Sequence, residues 1–331
     1  MPANLTAQYL EAERRFRAAK TPEEKKSALE DMIAKLPKHK GTEKMFADLK
    51  SRLARLKRGE DSKSGGARRS SEYTIPIEGA GQVMMLGAPN AGKTALLGAM
   101  SNAEVEVTDY PFSTHRPAPG MMKYEDVPFQ LVDTPSMDPD FMDQFLPPLI
   151  RCADAAVLVV DLSSPDCLDQ PGWILSAMQK ANIELIRGLA SSTPKQSVPK
   201  QLPTLMVGAK ADHPDADTAM ELLGEVLGDR FPVVTVSVDR PDTLDAFSRA
   251  VFDLFGIVRA YSKRPGQEAD RKAPFLLPVG STVIDFAEKV HRSFAARFSF
   301  ARGWGSGKFE GQRLGPGDVV EDGDVIELHT K

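Results

Sequence analysis

The sequence predicts an α/β protein, with a mostly parallel sheet set between a helical hairpin and a small α+β module. Three observations predict it. From Gly81 onward, short apolar runs alternate with amphipathic stretches, the pattern of a parallel sheet covered on both faces. A polar, Gly/Ser-rich stretch, "SKSGGARRSS" (62–71), separates this region from a helical N-terminus. The last 58 residues, 274–331, read as strand, helix and short strands.

The elements follow in order. Residues 5–58 read as helices. Thr21-Pro22-Glu23-Glu24 fits an N-cap, a proline at the first helical position and a glutamate closing a capping box. Leu29, Met32, Ile33 and Leu36 then recur at helical spacing. Pro37 and Gly41 interrupt, and Phe46, Leu49, Leu53 and Leu56 mark a further helix. Strands are expected at Val83–Leu86, Phe129–Val132, Ala156–Asp161, Thr204–Gly208 and Val233–Ser237. Helices are expected at 92–102, 141–152, 173–189, 215–227 and 242–256. Residues 190–203, with three prolines, read as a surface insertion. A basic stretch, Arg259–Lys272, reads as a hinge. In the final module "DFAEKVHRSF" places Phe286, Val290 and Phe294 on one helical face, and "DGDVIELHT" alternates like a strand. The domain division is 1–60, a linker at 61–78, 79–260, a hinge at 261–273, and 274–331.

Composition narrows the function classes. The chain has 331 residues and a formal charge of −4, but that charge is segregated. Residues 1–72 hold 18 Lys/Arg against 11 Asp/Glu, a net +7 that leaves −11 on the remainder. An arm of this kind meets anionic partners, or is simply a solvated helical face. Between Lys35 and Arg58 there are nine basic residues against Glu43 and Asp48, enough to follow a phosphate backbone. No apolar run approaches 18 residues, so no membrane partner is expected. Two cysteines and five scattered histidines argue against a disulfide framework or a zinc enzyme and suit a reducing cytoplasm.

"GAPNAGKT", Gly87 to Thr94, fits G-x-x-x-x-G-K-[ST] between an apolar strand and a helix. Main-chain N–H groups of Gly87, Ala88, Pro89-Asn90-Ala91 and Gly92 (the proline excepted) and the helix N-terminus would surround phosphates. Lys93 would reach the β- and γ-phosphates, and Thr94 would offer its hydroxyl to Mg²⁺. "VPFQLVDTP" then ends a strand in Asp133, 40 residues beyond Lys93, where it can hold Mg²⁺ through water. The fold is therefore a P-loop nucleotide-binding domain.

"DYPFSTHRPAPGMMKYEDVPFQLVDTP" resembles the switch region of the Obg-related translation-factor GTPases. "LPKHKGTEKMFADLKSRLARLK" is similar to the basic helical segment of the developmentally regulated GTP-binding (DRG) branch. "LPVGSTVIDFAEKVHRSF" through "DGDVIEL" resembles the TGS module, a β-grasp fold. The chain leaves no room for the extra small domain that eukaryotic DRG proteins insert, so it resembles a shorter, prokaryote-type member. The resemblance implies GTP and GDP as ligands and assigns roles. Thr114 would be the switch I threonine on Mg²⁺. Ser136 stands where a glycine N–H meets the γ-phosphate. Asn90 matches the asparagine that ligates K⁺ in potassium-stimulated relatives, and Met137 replaces the glutamine that many GTPases use to orient water.

The guanine motif Asn-Lys-x-Asp appears as Ala209-Lys210-Ala211-Asp212. The aspartate makes two hydrogen bonds to guanine that adenine cannot return, the lysine covers the ring, and the asparagine braces the P-loop. Lys210 and Asp212 therefore keep the choice of base while Ala209 loses the brace. Ser237-Val238 would offer an N–H to guanine O6. The expectation is a slow GTPase switch acting on ribosomes or RNA through the basic N-terminal helices and the TGS module, whose His291, Arg292, Arg297 and Arg302 add weaker basic signals. A non-catalytic, nucleotide-sensing adaptor and an NTPase of relaxed base choice remain as alternatives.

Overall fold

A computed structural model describes residues 7–18, 22–36, 46, 49, 50, 53, 75–101, 116–139, 142–271, 273–305 and 309–330. The chain divides into two compact units, Met1–Glu72 and Tyr73–Lys331. In the first, α1 (Ala7–Ala18) packs on α2 (Pro22–Lys35). Tyr9 and Ala12 bury against Leu29, Met32 and Leu36, with Leu49 joining them and Ile33, Phe46 and Leu53 at the margin. The expected stripe is thus the packed face. Arg15 reaches Asp31 across the pair at 3.3 Å. Thr21 and Leu56 lie outside the described residues.

The second unit opens with a seven-stranded sheet in the order β2-β3-β1-β4-β6-β5, with β7 also on β6. The strands are β1 (Gln82–Gly87), β2 (Ala118–Tyr124), β3 (Val127–Asp133), β4 (Ala155–Asp161), β5 (Ile183–Ile186), β6 (Lys200–Ala209) and β7 (Val233–Val236). All pairs are parallel except β2 with β3. The sheet is apolar on both faces because helices cover both. Met84, Leu86, Ala156, Leu158 and Val160 meet α4 (Leu146–Cys152), α5 (Gln170–Lys180) and α6 (Ala216–Leu227). Val83, Met85, Ala155, Val157 and Val159 meet α3 (Lys93–Met100) and α7 (Pro241–Phe255).

Two expectations change, and one strand had none. The helix expected over 173–189 ends at Lys180. Asn182 then turns with φ 56°, and "IELI" forms β5. The surface insertion expected at 190–203 is shorter. Its last four residues begin β6, which pairs with β5 in its first half and β7 in its second. Lys200, Gln201 and Pro203 mask the strand because they lie on its peripheral half. Residues 118–124, unassigned from the sequence, are the antiparallel strand β2.

A second, five-stranded sheet has the order β11-β10-β12-β8-β9. Its strands are β8 (Ile257–Lys263), β9 (Phe275–Pro278), β10 (Phe298–Trp304), β11 (Gln312–Leu314) and β12 (Asp324–Thr330). Residues 257–263, which the sequence reading divides between the first domain and the hinge, are therefore an inner strand of this sheet. α8 (Val283–Val290) lies across it, with Phe286 fully buried against Val258, Ala260, Leu277 and Ile326. Thr282 and Asp285 close a capping box at its start. Val290 packs at the core margin. The helical face expected to include Phe294 breaks at His291, and Phe294 falls in a separate short helix, α9 (Arg292–Ala296).

Arg259 of β8 joins the two sheets. It takes Asp322 in a two-pronged grip, Nε to Oδ1 at 3.0 Å and Nη2 to Oδ2 at 2.7 Å. Its Nη1 meets Glu125, and Asp126 at 3.2 Å, in the β2–β3 turn. The guanidinium also lies over Tyr124 and Phe252. The Asp322 bond above all holds its pKa above the ordinary arginine value, against the cost of burial. Tyr261 donates to Asp126 at 2.6 Å, and burial, then that bond, pushes its phenol up to about 12. Replacing Arg259 by Ala strands three carboxylates beside a gap. We expect it to lower the unfolding free energy of this unit by roughly 2–4 kcal/mol, measured by urea denaturation followed through tryptophan fluorescence.

Candidate nucleotide site

The C-terminal ends of β1, β3, β4, β6 and β7 share one edge of the first sheet, as the registers Met85–Asp133, Gly87–Val159, Asp161–Ala209 and Ala209–Val236 show. Ligands of open α/β sheets bind at such an edge. The loop 87–92 leaves β1 there and enters α3 at Lys93. Its glycines are geometric requirements. A Cβ on Gly87 would lie 2.7 Å from the Val159 carbonyl oxygen, and Gly92 has φ 92°. Asn90 takes φ 60°, a left-handed conformation that asparagine tolerates.

Lys93 folds back into this loop. Its Nζ donates to the Gly87 carbonyl at 3.0 Å, the Ala88 carbonyl at 2.9 Å and Ser136 Oγ at 3.2 Å. Burial pulls its pKa down to about 8, against the opposing attraction of Asp133. Thr94 Oγ1 and Asp133 Oδ2 are 2.5 Å apart. These two are hard oxygen donors of the kind Mg²⁺ takes, one a hydroxyl and one a fully buried carboxylate, so the pair fits that ion. Among the described residues no group of three or more His, Cys, Asp or Glu is placed to hold a metal.

After Asp133 the chain turns beneath the loop. Thr134 Oγ1 donates to the Met85 carbonyl at 2.7 Å, and Met137 N to the Gly87 carbonyl at 3.2 Å. Ser136 stays beside Lys93. Met137 is fully buried among Leu86, Val132 and Leu146 in the core, so its side chain is packing rather than site. Thr114 lies outside the described residues.

The stretch expected to select the base follows β6. Ala209 is buried with Ala88 and Ala91, and a Cβ added at Gly92 would stand 3.6 Å from the Ala209 methyl. Apolar contact thus supports the P-loop where a polar brace was expected to be missing. Lys210 has φ 60°, and its Nζ reaches Asp161 Oδ2 at 2.6 Å and Ser163 Oγ at 3.4 Å. Asp212 is held below the usual carboxylate range, chiefly by the Ser237 hydroxyl. Of the Ser237-Val238 pair expected to offer an N–H to guanine O6, Ser237 donates its own to Thr243 Oγ1 at 3.1 Å inside the fold. The reason is local: Ser237 is fully buried, whereas Val238 is exposed. Asp161, Ser163 and Thr243 were not singled out from the sequence. Asp161 ends the apolar run "AAVLVVD" much as Asp133 ends β3, and that parallel is the signal that could have found it.

The fold and this edge define a P-loop GTPase-family domain, and comparisons with known proteins agree. Residues 82–191 match the family described as 50S ribosome-binding GTPase, and residues 258–330 match the TGS domain. The chain accordingly carries a domain that matches this GTPase family and, after it, a TGS domain. It is 26% identical to developmentally-regulated GTP-binding protein 1 of Xenopus laevis, over 92% of this chain and 97% of that protein. It is 24% identical to ribosome-interacting GTPase 1 of Saccharomyces cerevisiae, over 94% of this chain and 100% of that one. The solved YchF GTPase of Schizosaccharomyces pombe shares the fold at TM-score 0.50 and 12% identity, over 78% of this chain and 99% of that one.

The low pKa of Lys93 sets a pH dependence. Below about 8 the amine is already charged in the free protein, so a phosphate binds it with no proton taken up. Above that value binding must first protonate the amine. Affinity for GDP should therefore be flat up to about pH 8 and then fall toward tenfold per pH unit. Calorimetry in buffers of different ionisation enthalpy should show proton uptake in the same window.

Proposed function

We propose that the chain binds GTP with Mg²⁺ at Gly87–Thr94 and hydrolyses it slowly to GDP, as a switch acting on ribosomes or RNA in the cytoplasm. One observation carries the reading: Lys93, Thr94, Asp133, Lys210 and Asp212 come from three segments and meet on one sheet edge. In this reading main-chain N–H groups from Gly87 to Thr94 hold the phosphates and the Lys93 ammonium turns from the loop carbonyls to the phosphate oxygens. Thr94, Asp133 and Thr114 hold Mg²⁺, which neutralises phosphate charge when bound. Asp212 reads the guanine edge, Lys210 covers the ring, and Val238, with Ser237 behind it, approaches O6.

Hydrolysis here rests on positioning and charge, because Met137 is in the core. Asn90, at the exposed left-handed position of the loop, would ligate K⁺ between the phosphates. Turnover should be several-fold faster in KCl than in NaCl, and equal rates in multiple-turnover phosphate release would remove this role. Lys93→Ala should abolish that release.

The burial of Met137 also favours a second reading, a nucleotide-sensing adaptor without turnover. It predicts GTP binding with no phosphate release above the Lys93→Ala control. Base choice is tested separately. Asp212→Ala removes two hydrogen bonds to a charged group, worth roughly 1.5–3 kcal/mol each. The preference for GTP over ATP should therefore fall by about a hundredfold or more, measured by competition against labelled GDP. Equal binding of GTP and ATP by the unaltered chain would remove the assignment of Asp212. The ribosome or RNA partner is supported by the basic arm at 35–58 and by the name of the yeast relative.

A further inference from the structure

The hydroxyl of Ser136 lies in the nucleotide site, where the sequence resemblance gives a role only to the main-chain N–H. The chain is pinned on both sides of this residue. Thr134 Oγ1 donates to the Met85 carbonyl at 2.7 Å and Met137 N to the Gly87 carbonyl at 3.2 Å, so both flanks are tied to β1. Thr134, Pro135 and Met137 are buried, and Ser136 alone of residues 134–137 is partly exposed. Its backbone is outside the left-handed region, so a side chain stands there without strain. Lys93 Nζ donates to its Oγ at 3.2 Å. A hydroxyl that accepts still has its own proton to give. A donor thus stands beside the amine that the nucleotide reading turns toward phosphate oxygens.

We propose that the Ser136 hydroxyl donates to the terminal phosphate of a bound triphosphate and so sets the preference for GTP over GDP. The proposal rests on the GTP reading above and adds a side chain that reads the third phosphate. A diphosphate is enclosed by the loop 87–92 and the first turn of α3. A third phosphate has to leave that enclosure, and it meets the segment that ends β3. Asp133 stands there with Thr94, 2.5 Å apart, as the pair that fits Mg²⁺, an ion that bridges β- and γ-oxygens. Ser136 follows three residues on, at the amine. When the ammonium turns to phosphate oxygens, the hydroxyl loses that partner and gains an anionic oxygen beside it. Hydrogen bonds to charged groups are the stronger kind. A serine that only held Lys93 in the free protein would act on diphosphate and triphosphate alike, because the amine leaves it in both cases. Discrimination between the two is therefore the mark of a direct contact.

The test is calorimetry of the full chain with Mg²⁺, titrated in parallel with GDP and with the non-hydrolysable β,γ-imido analogue of GTP. Ser136→Ala should weaken the analogue by roughly tenfold or more and leave GDP within about twofold, so GDP binding also reports that the variant is folded. Ser136→Gly keeps the main-chain N–H and loses the hydroxyl, and it should show the same loss. Ser136→Thr keeps a hydroxyl and should restore the preference. Equal weakening of GDP and analogue by Ser136→Ala would make the serine a support for Lys93 and overturn the proposal. An unchanged ratio in Ser136→Gly would assign the discrimination to the main chain alone and overturn it too, as would Ser136→Thr behaving like Ser136→Ala. If the unaltered chain binds neither ligand, the GTP reading falls and takes this proposal with it. If it binds both and only the variants fail to separate them, the GTP reading stands and this proposal does not.

Discussion

A buried ammonium organises the nucleotide site. A charge in the interior is costly unless polar groups surround it. Lys93 is 4% exposed and is kept by two loop carbonyls and a serine hydroxyl. The loop can present those carbonyls only by curling around the lysine, which forces the left-handed turn at Gly92 and the close approach of Gly87 to β4. Lysine and loop thus hold each other in shape before any phosphate arrives. The carbonyls are a weaker counterpart than phosphate oxygens, and the depressed pKa expresses that shortfall. A triphosphate would supply the missing negative charge. The same imbalance that makes the free site costly makes it receptive.

The β2–β3 hairpin ties this site to the second sheet. At one end β3 delivers Asp133 to Thr94. At the other, Glu125 and Asp126 meet Arg259 and Tyr261. A hairpin of seven-residue strands spans about 23 Å, and both ends finish in charged contacts. Glu125 takes φ 50° in the two-residue turn, which aims its carboxylate with that of Asp126 at the guanidinium. The antiparallel edge strand is therefore structural: without β2 the turn would have no rigid arm behind it.

How much was legible follows from what each feature depends on. The P-loop and the placement of Asp133, Lys210 and Asp212 at strand ends were readable because the motifs that carry them need particular residues at particular spacings. The strands buried on both faces were readable as continuous apolar runs. β5 was not, because four residues after a long helix carry no period of their own, and Asn182, not Gly or Pro, makes the break. β8 was missed for another reason. Its Arg259 and Lys263 read as hinge charge, yet Arg259 is buried by carboxylates 63 and 134 residues away in sequence. Ser237 illustrates the limit for the site itself. The sequence placed it at the right strand end but could not tell which way its amide points, since that depends on Thr243 in the next helix.

Ala209 shows how a lost polar group is replaced by packing. A side-chain amide at this position would span from β6 to the P-loop by hydrogen bonds. The methyl of Ala209 lies in the same apolar cluster as Ala88 and Ala91, and its closeness to Gly92 puts it against the P-loop. Contact holds the loop at the right distance but imposes no direction, so the neighbouring lysine must be aimed by something else. Asp161 does this, reaching Lys210 at 2.6 Å from the end of the adjacent strand. Positioning and orientation, which one asparagine would combine, are divided here between a methyl group and a carboxylate. The carboxylate belongs to β4, paired with β6 at Asp161–Ala209, so the sheet's own register sets the aim.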